Sequence, residues 1–263
     1  MKLATQDKPF FPASLPEKFR TVRSLGFDGF EIDGSVLVEQ FHEVKSASAS
    51  AQLPVVTACG GYRGWIGDFE QERRKQAVED IGEILKRVSE LGGTGIVVPA
   101  AWGMFSKRLP PMTPPRTESE DREVLLESLA RLDRAAAATG TYIYLEPLNR
   151  YEDHMLNRLS DAVQLIQAGS FSRVRVTADF YHMNIEEPKI DQSIVEAGPY
   201  IGHVHLADSH RFQPGDGHLD FRSGFEALRQ VGYEGWMAFE CRVTGEPEMD
   251  VYRRSLQFIR KLI

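Results

Sequence analysis

Cysteine is nearly missing from this chain: only Cys59 and Cys241 occur in 263 residues. Each lies in an apolar stretch, so a disulfide framework is excluded and two small core residues in a reducing compartment are expected. Also absent is any run of about 18 apolar residues, so no membrane-spanning helix is expected. The opening "MKLATQDKPFFP" holds no apolar segment long enough for a signal peptide, and the expected location is cytoplasmic. Basic excess is lacking too: 31 Lys and Arg stand against 38 Asp and Glu, a net charge of −7. That balance argues against a nucleic-acid surface and leaves a small-molecule substrate, even an anionic one, in play. No G-x-G-x-x-G follows the first strand-like segment, and "CGGYRG" is too irregular to replace it, which tells against a doubly wound nucleotide-binding sheet.

What the chain does have is alternation. Short apolar or β-branched runs at 26–34, 53–61, 94–102, 141–149, 174–182, 201–209 and 235–243 read as strands, and 2–10 supplies a weaker one. Helical patterns fill the gaps at 14–26, 69–93, 119–140, 159–169, 221–232 and 248–262, several of them closing on Gly. Thr117 and Ser119 are candidate caps for the third of these. About eight β-α units in a chain of this length predict an α/β protein: a single (β/α)8 TIM barrel spanning 1–263. One connection, "WGMFSKRLPPMTPPRTES" (102–119), carries four prolines with Lys107 and Arg108. A long loop after a barrel strand is expected to project over the carboxyl-terminal face as a lid.

Barrel chemistry sits at the carboxyl ends of strands. Glu146, Asp179 and Glu240 end their strands and His205 lies late in its own, so four consecutive strands each offer one ligand-type side chain. Singly, each has an ordinary reading as a helix cap, a surface group or a satisfied core histidine. Four at one level, beside apolar residues, would be costly without a cation. Three carboxylates and an imidazole make a mostly oxygen site suited to one divalent ion, Mn²⁺ first, with Mg²⁺, Co²⁺ or Zn²⁺ as alternatives.

With "LEPLNRYE" and Asn157 beyond it, "DFYHMNIEE", "GHVHLADSHR" with "PGDG", and "FE" at 239–240, the chain resembles the xylose-isomerase-like TIM-barrel superfamily. Within it, the resemblance is to ketose 3-epimerases of the D-tagatose or D-psicose type. It implies that Glu146, Asp179, His205 and Glu240 bind the metal and that Glu152, His182 and Arg211 contact the sugar. It also implies a homo-oligomer, dimer or tetramer. One departure is "GHLDF" after the Pro-Gly, a variant similar to other branches such as hydroxypyruvate isomerases; Asp220 there reads as a helix N-cap.

Epimerising a carbon beside a ketone requires removing a C–H proton and returning it to the opposite face. Glu146 and Glu240 are the expected catalytic acid/base pair, and the Trp65 and Trp102 rings are expected to cover the apolar face of the sugar. The expected partner is a small sugar, with no nucleic acid and no membrane. Rival readings are a hydroxypyruvate-isomerase-like enzyme, a keto-sugar lyase of the inosose dehydratase or C-glycoside lyase type, and, remotely, an AP-endonuclease-like nuclease.

Overall fold

Eight parallel strands close into a barrel in simple chain order, and the first pairs with the last. They are β1 (Lys2–Thr5), β2 (Gly29–Asp33), β3 (Val55–Cys59), β4 (Gly95–Pro99), β5 (Tyr142–Glu146), β6 (Val174–Asp179), β7 (Ile201–Leu206) and β8 (Trp236–Phe239). The computed structural model describes residues 1–107 and 113–263. Part of the expected lid, including Arg108, therefore lies outside the described residues. Closure removes the open-sheet rival, and the weak first strand proves to be the one that completes the ring. Most strand residues are buried on both faces, which is why they read as continuous apolar runs.

The outer layer holds α1 (Leu15–Leu25), α2 (Gly34–Glu39), α3 (Phe41–Ala51), α4 (Gln71–Glu90), α5 (Glu118–Thr139), α6 (Leu159–Gly169), α7 (Phe180–Glu186), α8 (Ile190–Ala197), α9 (Phe221–Gln230) and α10 (Glu248–Arg260). In α1 a proline lies in the first turn, where its missing N–H costs nothing, and Leu15, Phe19, Val22 and Leu25 form the buried stripe. Gly26 ends it at φ 102°, a conformation costly for other residues. Of the two cap candidates for α5, Thr117 is the cap, in a reciprocal box with Glu120. Asp220 caps α9 through the N–H groups of Arg222 and Ser223, as expected.

Several of the strand-like runs overshoot their strands at the carboxyl end, and one overshoot bears on the site. The stretch 174–182 is not strand throughout: β6 stops at Asp179, whose side chain caps α7, so His182 rides on a helix. The short helices α2 and α8 were also not anticipated; they are too brief to show a full apolar period. Among the described residues no helix is long and apolar enough to cross a membrane.

Candidate active site

Glu146 is the last residue of β5, Asp179 the last of β6, His205 lies one residue before the end of β7, and Glu240 directly follows β8. One donor atom of each falls within 4.8 Å of the others. His205 Nδ1 is their common neighbour, 2.8 Å from Glu146 Oε1, 3.1 Å from Glu240 Oε2 and 3.7 Å from Asp179 Oδ2. Strand register produces this meeting, for Asp179 lies directly beside His205 across the β6–β7 pair. Asp179 divides its oxygens: Oδ1 accepts from the His182 backbone N–H at 2.9 Å, and Oδ2 faces the cluster.

The charge at this point is unbalanced in a way that suits a cation. Among the described residues, two buried carboxylates and the partly buried Glu240 are met by one guanidinium, with Arg211 Nη2 2.7 Å from Glu240 and Nη1 3.3 Å from Asp179. Burial pushes the Glu146 carboxyl up to about 7. Burial acts on Glu240 in the same sense, but Arg211 and His205 overcome it and hold that carboxyl well below its ordinary range. The donor set, mostly oxygen with one imidazole, matches what a hard or borderline divalent ion takes. The residues present fit such an ion.

Behind His205 lies a carboxylate that sequence reasoning missed. Glu31, in the middle of β2, places Oε1 2.9 Å from His205 Nε2, so the two ring nitrogens face opposite ways, one to the donor cluster and one to Glu31. Such a carboxylate fixes the tautomer and ring orientation of a ligating histidine. Thr57 Oγ1 donates to Glu31 at 2.6 Å, and Gln6 Nε2 donates to it at 2.9 Å and to Glu240 at 3.1 Å. His203 Nε2 stands 2.8 Å from the other oxygen. Burial would raise this carboxyl, yet His205 and His203 hold it well below the usual range. A register shift between Phe30 and Glu31 marks the place where β2 departs from regular pairing. The available signal was a Glu flanked by Phe30 and Ile32 in a strand buried on both faces.

A cavity of about 1140 Å³ opens above the cluster, and Trp65, Trp102, Glu152, His182 and Arg211 all line it. His182 is buried; its Nδ1 accepts from the Asn149 backbone N–H at 3.0 Å, and its Nε2 lies 3.2 Å from Arg211 Nη1. Burial and the nearby Arg211 guanidinium lower its pKa to about 3, so the ring stays neutral. Glu152 is held by Asn149 at 2.9 Å and by the Trp102 indole N–H at 3.0 Å. Arg211 adopts φ 67°, unusual for a residue with a side chain. Its loop is tied down by Asp208, which accepts from the N–H groups of Ser209, Gly215 and Leu219. Of the described cations of the long loop, Lys107 donates to Asn157 and Arg116 pairs with Asp121, and neither lines this cavity. The "HMNIEE" motif has a local explanation as well: Glu186 grips Arg150 through its backbone and guanidinium, and Glu187 accepts from Leu159 N–H. Together they clasp the loop that follows β5.

Residues 19–262 match the family described as Xylose isomerase-like TIM barrel. The chain is 52% identical over 260 residues to 3-dehydro-D-guloside 4-epimerase of Escherichia coli K12, covering 99% of each. A crystal structure of an E. coli 3-keto-D-glucoside 4-epimerase in its apo form, also 52% identical, superposes with a TM-score of 0.97 over 99% of both chains. D-psicose 3-epimerase of Ruminiclostridium cellulolyticum is 30% identical over 83% of this chain and 75% of its own length. The expectation of a sugar epimerase holds, and this chain belongs to the xylose isomerase-like TIM barrel family.

Proposed function

We propose that this enzyme is a divalent-metal-dependent epimerase acting on a keto glycoside, with C4 of a 3-keto hexopyranoside as the centre inverted. The observation that carries the reading is the meeting of Glu146 and Glu240 at one donor cluster beneath a sugar-sized or larger cavity. Substrate class is taken from the relative at 52% identity, whose name places the reaction at C4 of a 3-keto glycoside. C4 of such a sugar adjoins the ketone on the same side as C3 adjoins the C2 ketone of a ketose, so the chemistry is the one expected from sequence, moved one carbon along.

Glu146, Asp179, His205 and Glu240 would hold the ion; bound there, it would supply Lewis acidity toward the ketone oxygen. Of the two glutamates, whichever is ionised removes the C4 proton, and the other returns one to the opposite face; the roles exchange in the reverse direction. Arg211 places its guanidinium beside Glu240 to favour its charged state. His182, beside Arg211, and Glu152 line the cavity where they would contact the sugar's hydroxyls, and Trp65 would cover its apolar face. Mn²⁺ is the ion we expect, and we also propose a homo-oligomer, dimer or tetramer, in the cytoplasm.

Incubating metal-loaded protein with a methyl 3-keto-hexopyranoside in D₂O tests this directly. Deuterium at C4 together with the C4 epimer is expected. Deuterium at C3 of free ketoses instead would favour the 3-epimerase reading, and a dehydrated product the lyase reading.

A further inference from the structure

The cavity is larger than one sugar ring needs. About 1140 Å³ exceeds the roughly 300–1,000 Å³ typical of pockets for drug-sized ligands. Its walls are graded from floor to mouth. Tyr62 is one aromatic ring of the wall, and its hydroxyl has no partner among the described residues. Its ring meets Trp65 edge-on with centroids 5.6 Å apart, and Trp65 meets Trp102 at 6.5 Å. Trp102 is 57% exposed and Tyr151 62%, making them the most exposed large apolar residues among those described, and both stand on this cavity. Neither is a loose side chain on a loose loop. The Trp102 indole donates to Glu152, Gly103 N–H donates to the Glu152 carbonyl, and Tyr151 N–H donates to Asn149 Oδ1. Around these rings the mouth carries the exposed, charged or polar side chains of Asp7, His210, Arg242 and Glu248.

Exposed aromatic rings at a mouth edged by hydrogen-bonding groups suit a pyranose, which has an apolar C–H face and a hydroxylated edge. A purely hydrocarbon substituent would leave those charged groups desolvated without partners. From this we infer that the outer half of the cavity is a subsite for a second sugar ring, seated on Trp102 and Tyr151, so that the enzyme prefers a keto disaccharide to a keto monosaccharide glycoside. The inference rests on the epimerase reading above and deepens it, since that reading leaves the glycosidic substituent open.

The test compares a methyl 3-keto-glucoside, a 3-keto disaccharide and an aryl 3-keto-glucoside on the metal-loaded protein. The expected result is a kcat/KM about tenfold or more higher for the disaccharide than for the methyl glycoside, carried by KM. Trp102→Ala and Tyr151→Ala should each collapse that ratio toward one, and Trp102→Phe should keep part of it. Equal kcat/KM for one and two rings in the wild type would overturn the subsite, as would a preference that survives both alanine substitutions. An aryl glycoside matching or beating the disaccharide would overturn the second-sugar assignment. If no keto glycoside is epimerised, the functional reading fails on its own. Binding of unoxidised methyl glucoside and disaccharide, followed by calorimetry, then still decides the subsite: a preference for two rings lost in Trp102→Ala supports it, and no preference overturns it. Wild-type oligomers that fall apart on Trp102→Ala, with ligand preference unchanged, would assign the aromatic rim to a contact between copies and also overturn the proposal.

Discussion

Asp33 and Asp179 both end a barrel strand and both cap the helix that follows, yet only one belongs to the candidate site. Asp33 closes β2, is exposed, and gives Oδ1 to the N–H groups of Ser35 and Val36. Asp179 closes β6, is buried, caps with Oδ1 alone, and turns Oδ2 toward His205 and Arg211. A strand-end carboxylate is therefore an ordinary helix cap until burial and charged neighbours draw its second oxygen into a shared cluster. The same contrast runs round the whole mouth. From β5 to β8 every strand delivers a donor to the cluster. The first four strands and the loops after them contribute support and walls instead: Gln6, Glu31 and Thr57 behind the cluster, Tyr62, Trp65 and Trp102 above it.

The largest effect should come from breaking the donor half. Glu146→Gln and Glu240→Gln each remove one partner of a two-base cycle, and loss of a general acid or base costs about 10²–10⁴-fold in rate. Both variants should be nearly inactive in epimerisation when product is followed by NMR. Solvent deuterium entering C4 without inversion, from the surviving face, would show that the two glutamates serve opposite faces. A variant retaining more than a tenth of wild-type turnover, folded and metal-loaded, would remove that glutamate from the pair.

The support half should show a smaller and different loss. Glu31→Gln keeps the side-chain shape but removes the negative charge facing His205 Nε2. Removing such a partner costs about 10–100-fold in metal affinity. Calorimetric titration of metal-free protein with Mn²⁺ reads this without reference to turnover. Unchanged affinity would reduce Glu31 to a packing role, and the division between the halves would lose its clearest member.

How far the sequence could be read follows the same division. Strand-end Glu146, Asp179 and Glu240, with His205, were legible because a carboxylate or imidazole beside an apolar run breaks the pattern where a barrel puts its chemistry. Glu31 was not, because it interrupts β2 in mid-strand, and its partner is fixed only by barrel closure across strands distant in sequence. All eight strands were found, but β6 was drawn too long: "DFYH" continues in apolar and aromatic residues while Asp179 caps a helix. His182 still reached the cavity, through a helical turn rather than along a strand.

Metal removal should separate the halves by stability as well. The cluster's carboxylates repel one another when no cation is bound, so an ion at 100 times its Kd should stabilise the fold by about 2.7 kcal/mol. At roughly 2–4 °C per kcal/mol for a chain of this size, that is a rise of several degrees in Tm on adding Mn²⁺. Asp179→Asn should lose most of that rise and Asp33→Asn should keep it. Equal responses in the two variants would erase the distinction drawn between these two strand-end aspartates.

The smallest effect tests whether the donor half carries a stability cost beyond the cluster itself. Asp153, in the loop after β5, is almost wholly buried, and its Oδ1 has no hydrogen-bond partner among the described residues. Burial raises its pKa to about 7, against the pull of backbone N–H groups from Met155, His154 and Leu156. The folded form thus holds a proton that the unfolded chain has already released between the ordinary carboxylate range, near 4, and about 7. Folding keeps the advantage of that retained proton in full below about pH 4 and loses it progressively as pH rises from there to about 7, where the loss is complete. Asp153→Asn mimics the protonated form at every pH. Its Tm should match the wild type near pH 4, draw ahead as pH rises from about 4 to about 7, and stay ahead by a constant margin above that. Saturating Mn²⁺ keeps Glu146 ionised during the measurement, so that its own titration does not enter the difference. Parallel Tm curves for the two proteins across this range would mean that Asp153 is ionised throughout and that its burial carries no such cost.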